Sequence, residues 1–217
     1  MAAIKKHNIF VNFKTYKTGS GKNAETLTRK IAGKNVVLVV QNADIYRTSK
    51  LSTVFAQHVD LVDTGRFTGH DYAVTLKENG AKGVLINHSE DKAKLKEIAK
   101  IIRICRSLHL TSLVCAETPK EAEKIARLRP DIIAIEPPEL IATGVSVSRT
   151  DPGIVTRTVN AVRKVNKNID ILCGAGVWTG DDVKKAIKLG CKGVLVASAV
   201  MTSKHPKNVV EHFVNAL

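Results

Sequence analysis

The chain of 217 residues has few aromatic side chains, 4% of the total, and is short of acid: 20 Asp and Glu stand against 34 Lys and Arg, a formal charge of +14. The few rings do not interleave with the basic clusters, which removes the stacking platform that single-strand nucleic-acid binders use. Long apolar runs are missing as well. No segment reaches the roughly 20 apolar residues of a membrane span, and the start, MAAIKKHNIFVNFK, has no apolar stretch of the length a signal peptide needs. A soluble, cytoplasmic protein without a membrane partner is expected. Cysteine is sparse: Cys105, Cys115, Cys173 and Cys191 form no CxxC pair and lie in or beside apolar runs. They read as buried free thiols in a reducing compartment and argue against a metal site. No Pro/Gly/Ser-rich linker divides the chain, so one domain over residues 1–217 is expected.

What the sequence does have is cation and alternation. The excess of Lys and Arg makes a surface that attracts anions of any kind, phosphorylated metabolites included. Lys92, Lys94, Lys96 and Lys100 alternate with Leu95, Ile98, Ile101 and Ile102 at helical spacing, which describes a solvated helix face better than a nucleic-acid footprint. Eight short runs rich in β-branched residues recur: Ile9 to Asn12, Val36 to Val40, Val54 to Gln57, Val84 to Ile86, Ser112 to Cys115, Ile132 to Ile135, Ile169 to Leu172 and Val194 to Val196. They are nearly continuous in apolar residues, as strands covered on both faces must be. Amphipathic segments lie between them: Asp91 to Leu108, Thr118 to Leu128 with Pro119 at a first helical position, and Thr179 to Leu189 stopped by Gly190. Eight strands alternating with helices in a chain of this length predict an α/β protein of the (β/α)8 barrel class, with its chemistry just after each strand.

Those positions hold a distinctive set. Asn12 and Lys14 stand two apart after the first run on an extended segment, so both side chains point to the same side. His88 follows the fourth run in Asn87-His88-Ser89-Glu90; with Ser89 as helix N-cap, the positive end of that helix would keep the imidazole neutral, although a structural histidine fits the local sequence equally well. Glu136 follows the sixth run and precedes Pro137, Pro138 and the segment Glu139 to Gly144, the pattern of a base beside a hinged lid. A lone Glu at such a place is more commonly paired with a surface lysine. After the seventh and eighth runs come Gly174, Ala175 and Gly176, and Ala197 and Ser198, residues small enough for backbone amides to approach a phosphate; tight strand-to-helix turns want glycine for their own reasons too.

A cation, a histidine, a carboxylate and a phosphate cradle at the strand ends of one barrel resemble triosephosphate isomerase, in its short archaeal branch. The resemblance runs from Val11 to Val200 and rests on NFKTY, AQH at Ala56 to His58, TGH at Thr68 to His70, NHSE, EPPELIATG and CGAG. It implies a TIM barrel that interconverts dihydroxyacetone phosphate and glyceraldehyde 3-phosphate with no cofactor. It further implies Glu136 as catalytic base, His88 as electrophile, and Lys14 and Asn12 as binders of the anionic substrate, with Glu90 behind Lys14; a carboxylate base beside a neutral histidine is the known pattern of that family. By the same resemblance the loop holding Thr68, Gly69 and His70 enters a neighbouring subunit, making a homodimer or homotetramer. Ala142 stands where the family usually has a glycine whose N–H helps hold the phosphate. Two rival readings remain at this point: another phosphate-binding barrel enzyme, which would not need Lys14, His88 and Glu136 together, and a noncatalytic protein whose charge recruits anions.

Overall fold

A computed structural model describes residues 7–137 and 152–217. The predicted segment from Glu139 to Gly144, Ala142 included, lies outside the described residues. Eight parallel strands close on themselves in sequence order: β1 Asn8–Asn12, β2 Val36–Val40, β3 Thr53–Ala56, β4 Gly83–Ile86, β5 Thr111–Ala116, β6 Ile132–Ile135, β7 Asp170–Cys173 and β8 Gly193–Val196. The seam is a regular ladder, with Phe10 of β1 opposite Leu195 of β8. The architecture is therefore the (β/α)8 barrel expected from the strand count, with boundaries displaced by a residue or two.

Two separate apolar clusters show how each strand faces. Phe10, Val37, Val39, Phe55, Leu85, Leu113, Cys115, Ile132, Ala134, Leu172 and Leu195 pack only with one another. The strand residues between them, such as Ile9, Leu38, Val54, Ile86, Val114 and Ile133, share a cluster with the buried faces of the helices. The first set therefore fills the barrel and the second seats the helices, the alternation of a pleated strand. Within the barrel, the Phe10 and Phe55 rings meet edge to face at 5.5 Å. Gly83 makes room for them, since a Cβ there would stand 2.5 Å from the Phe55 ring.

Helix starts follow their sequence signals where a side chain can cap. The helix Pro119–Ala126 begins with Pro119, and Thr118 Oγ1 accepts the Glu121 N–H at 3.1 Å. In Gly180–Lys188, Thr179 and Asp182 cap each other reciprocally. The helix predicted from Asp91 instead spans Leu95–Ser107, and Glu97 accepts the Lys94 N–H at its start. No helix among the described residues is long and apolar enough to cross a membrane.

Because Leu113 is fully buried in the barrel interior, Leu113→Ala is expected to lower unfolding free energy by about 2 to 5 kcal/mol, the usual range for a cavity left in a packed core. Urea unfolding at fixed protein concentration would measure it.

Candidate active site

Continuing the inward-facing series one step past the last apolar layer gives Asn12 on β1, Glu136 after β6, Gly174 after β7 and Ala197 after β8. All four line a cleft at the C-terminal mouth, together with Lys14, His88, Ala175, Gly176 and Ser198. The period-two geometry that packs the barrel thus delivers several candidate residues to one place. Val177, Trp178 and Ala199 also line it. Trp178, the single tryptophan, stands next to the Thr179 cap.

Lys14 reaches the cleft by a route that the extended reading of its segment misses. The strand ends at Asn12, and Lys14 adopts φ 45, a left-handed conformation unusual for lysine. Two contacts hold it: the Lys14 N–H donates to Asn12 Oδ1 at 3.0 Å, and Gln57 Nε2 donates to the Lys14 carbonyl at 3.1 Å and to Asn12 Oδ1 at 3.2 Å. Strain of this kind costs on the order of 1 to 3 kcal/mol and persists where neighbours over-determine it. Lys14 Nζ then meets Glu90 Oε1 at 2.5 Å. Glu90 is largely exposed, so the pair contributes little to stability. Gln57 was missed as a functional residue; its place directly after a strand end was the available signal.

The structure also changes what stands beside His88. Ser89 is not an N-cap: residues 89–90 form a turn, and the following helix starts only at Leu95. The Glu90 N–H donates to His88 Nδ1 at 3.2 Å, and the Glu90 carboxylate stands 3.7 Å from the same nitrogen. A nitrogen that accepts carries no proton, so the proton of the neutral ring resides on Nε2. Asn87, at φ 60, bends the chain so that His88 faces the cleft. Its side chain fixes that bend by donating to Cys115 O at 2.9 Å and accepting the Ala93 N–H at 3.1 Å.

Across the cleft, His88 Nε2 stands 3.5 Å from Glu136 Oε1. Glu136 is 4% exposed, and its Oε2 has no hydrogen-bond partner among the described residues. Burial pushes the carboxyl above its ordinary value, against the opposing pull of His88, the Cys115 thiol beside it, and Lys14. Cys115 therefore does more than fill the barrel. Gly174 is fixed by the same carboxylate: its N–H bonds to Ile135 O at 2.8 Å, and a Cβ would lie 2.5 Å from Glu136 Cγ. Gly176, by contrast, needs its φ of 64. Ser198 Oγ and the Tyr16 hydroxyl are 3.2 Å apart, linking the last loop to the first. No group of three or more metal-ligating side chains is found among the described residues.

A family model described as triosephosphate isomerase matches residues 7–216. The chain belongs to the triosephosphate isomerase family. It is similar to the triosephosphate isomerases of Methanobrevibacter smithii (42% identity), Methanothermus fervidus (40%) and Methanobacterium bryantii (41%). Each match covers 96% of this chain, and 98%, 98% and 96% of those relatives respectively. This triosephosphate isomerase family member carries its loop of Thr68, Gly69 and His70 on the surface, with Phe67 45% exposed and the base closed by the Asp60 N–H bonding to Asp71 O at 3.0 Å.

Two outcomes are expected. Gly174→Ala should displace the Glu136 carboxylate, and a misplacement of about 1 Å is enough for a loss near 10²-fold in kcat; steady-state kinetics would show kcat falling much more than KM rises. Glu136→Gln should raise thermal stability at neutral pH, because a carboxyl with a raised folded pKa is ionised there at a cost to the fold. That gain should vanish as pH falls below the ordinary carboxylate range, where both folded and unfolded wild-type carboxyls are protonated. Scanning calorimetry across pH would test the sign.

Proposed function

We propose that this protein interconverts dihydroxyacetone phosphate and D-glyceraldehyde 3-phosphate through an enediolate. The observation that carries the reading is the facing pair, with a buried carboxylate oxygen 3.5 Å from Nε2 of His88 and Lys14 at the same mouth. Taking a proton from the carbon beside a carbonyl leaves negative charge on oxygen, so a base must face carbon while donors face oxygen. Glu136 is the base. His88 is the electrophile: Nε2–H donates to the developing oxyanion, and a neutral imidazole can pass a proton between the two oxygens without overstabilising either. Lys14 and Asn12 hold the anionic substrate, and Glu90 orients Lys14.

The phosphate occupies the side of the cleft formed by Gly174, Ala175, Gly176, Ala197 and Ser198. The backbone amides of Ala175, Gly176 and Ser198 are the natural donors. The stretch from Glu139 to Gly144 acts as the lid, with Ala142 contributing an N–H. Excluding water by closure suppresses loss of phosphate from the enediolate. The isomerisation itself needs no organic cofactor or metal.

The protein works in the cytoplasm as a homo-oligomer, which we take to be a tetramer. The exposed loop of Thr68, Gly69 and His70 reaches the neighbouring subunit, an assignment supported by its protruding Phe67. The chain serves glycolysis and gluconeogenesis as one domain.

Coupling to glycerol-phosphate dehydrogenase, which consumes dihydroxyacetone phosphate, should show isomerisation in one direction and coupling to glyceraldehyde-phosphate dehydrogenase in the other, and the absence of both from the folded protein would overturn the reading. Glu136→Asp, which withdraws the base by about one methylene, should cut kcat on the order of 10²-fold while leaving KM much less changed. Because burial raises the Glu136 pKa, the acid limb of kcat/KM should lie above the ordinary carboxylate range, with activity lost as pH falls through it.

A further inference from the structure

The two polar residues that follow β3 go opposite ways. Gln57 holds the Lys14 turn, whereas the neighbouring His58 lies between two carboxylates: its Nδ1 is 2.7 Å from Asp91 Oδ2 and its Nε2 is 3.2 Å from Asp60 Oδ1. A carboxylate can only accept hydrogen bonds. Both ring nitrogens therefore carry a proton, and His58 is an imidazolium, the opposite state from His88. Its two partners sit on different pieces of the molecule. Asp60 closes the exposed loop, because Oδ2 accepts the Asp71 N–H at 2.8 Å and lies 3.3 Å from His70 Nδ1. Asp91 closes the catalytic turn, because its N–H donates to His88 O at 2.9 Å.

We infer that His58 is a positioning residue, a doubly protonated clip that fastens the turn carrying His88 and Glu90 to the base of the loop that carries Thr68, Gly69 and His70. It touches no reacting atom and acts through Asp91. The inference rests on the reading of His88 as the electrophile. Burial alone would lower the pKa of His58, but hydrogen bonds and charge from Asp60 and Asp91 override it and raise the value; Asp60 shifts the complementary way, lowered by the Asp71 N–H, His58 and His70 against the effect of burial. The charged groups around the ring are accounted for: Asp60 and Asp91 contact it, His70 faces it through Asp60, and Lys92 and Glu97 line the same cavity. Lys92 is engaged by Glu117 and Glu121, and Glu97 caps the Lys94 N–H.

The sign of the pH dependence follows. A histidine with a raised folded pKa contributes fully below the ordinary histidine range, and its contribution is lost as pH rises through the folded value. Losing one proton turns a donor into a lone pair facing a carboxylate, so the clip opens and His88 is less well aimed. An alkaline limb in kcat that belongs to His58 is the expected signature.

The test uses the full chain and its pH profile of kcat from neutral to alkaline, with His58→Gln, Asp91→Asn and His88→Gln measured beside wild type, plus the 15N ring shifts of the histidines by NMR. His58→Gln, which keeps one donor, should turn over several-fold more slowly at neutral pH and lose the alkaline limb. Asp91→Asn removes one carboxylate and should move the limb to lower pH. NMR should find both His58 nitrogens protonated at neutral pH, a readout independent of activity and of any variant's folding. An unprotonated His58 nitrogen at neutral pH, or an unchanged limb in His58→Gln, overturns the inference. Full activity in His88→Gln would overturn the assignment of His88 and this inference with it. An inactive His88→Gln beside an unchanged limb in His58→Gln overturns the clip alone.

Discussion

Strand alternation is the constraint on which the rest of this protein depends. Each strand sends every second residue toward the barrel axis, and the interior is filled with apolar side chains up to Leu172, Ala134 and Leu195. The next inward residue has no interior left to fill, so Asn12, Glu136, Gly174 and Ala197 emerge at the mouth by the same rule that packs the core. A slip of one residue in any strand would turn its cleft residue toward the helices and an outward residue into the barrel. The site and the core are held in register by one set of ladders.

At that mouth, burial and charge work against each other in a controlled way. Glu136 is largely withdrawn from water, yet His88, Lys14 and the Cys115 thiol all lean toward its ionised form. The balance leaves a carboxylate with a raised proton affinity and, among the described residues, an unpartnered oxygen, the condition in which a carboxylate acts as a base. Two nearby histidines show the same economy. His88 accepts a backbone N–H at Nδ1, whereas both ring nitrogens of His58 face carboxylates. A few ångströms of hydrogen-bond environment separate them.

The sequence made the barrel legible because eight β-branched runs and their helix caps are local signals, and because strand ends are where such folds put chemistry. It also pointed to the residues that meet in the cleft, since each stands at or within a few residues of a strand end. What it concealed was conformation and long-range contact. The left-handed turns at Lys14 and Asn87 break the extended geometry that residue spacing suggests, and Ser89 looks like an N-cap only until the helix is seen to begin at Leu95. Gln57, Cys115 and His58 were hidden for a related reason. Their importance comes from partners 28 to 45 positions away or beyond the next strand, as in the Gln57 contact with Asn12 across 45 residues and the Asn87 contact with Cys115 across 28.

The arrangement around Asn12 has a further consequence. Its Oδ1 receives both the Lys14 N–H and Gln57 Nε2, which fixes which end of the amide is oxygen, and so the NH2 group has a set direction before any ligand arrives. A side chain that elsewhere flips between two orientations is thereby a dipole of known sign at the rim of the cleft. The barrel holds that dipole still in advance, so a substrate meets an oriented donor and no rotamer has to be frozen on binding.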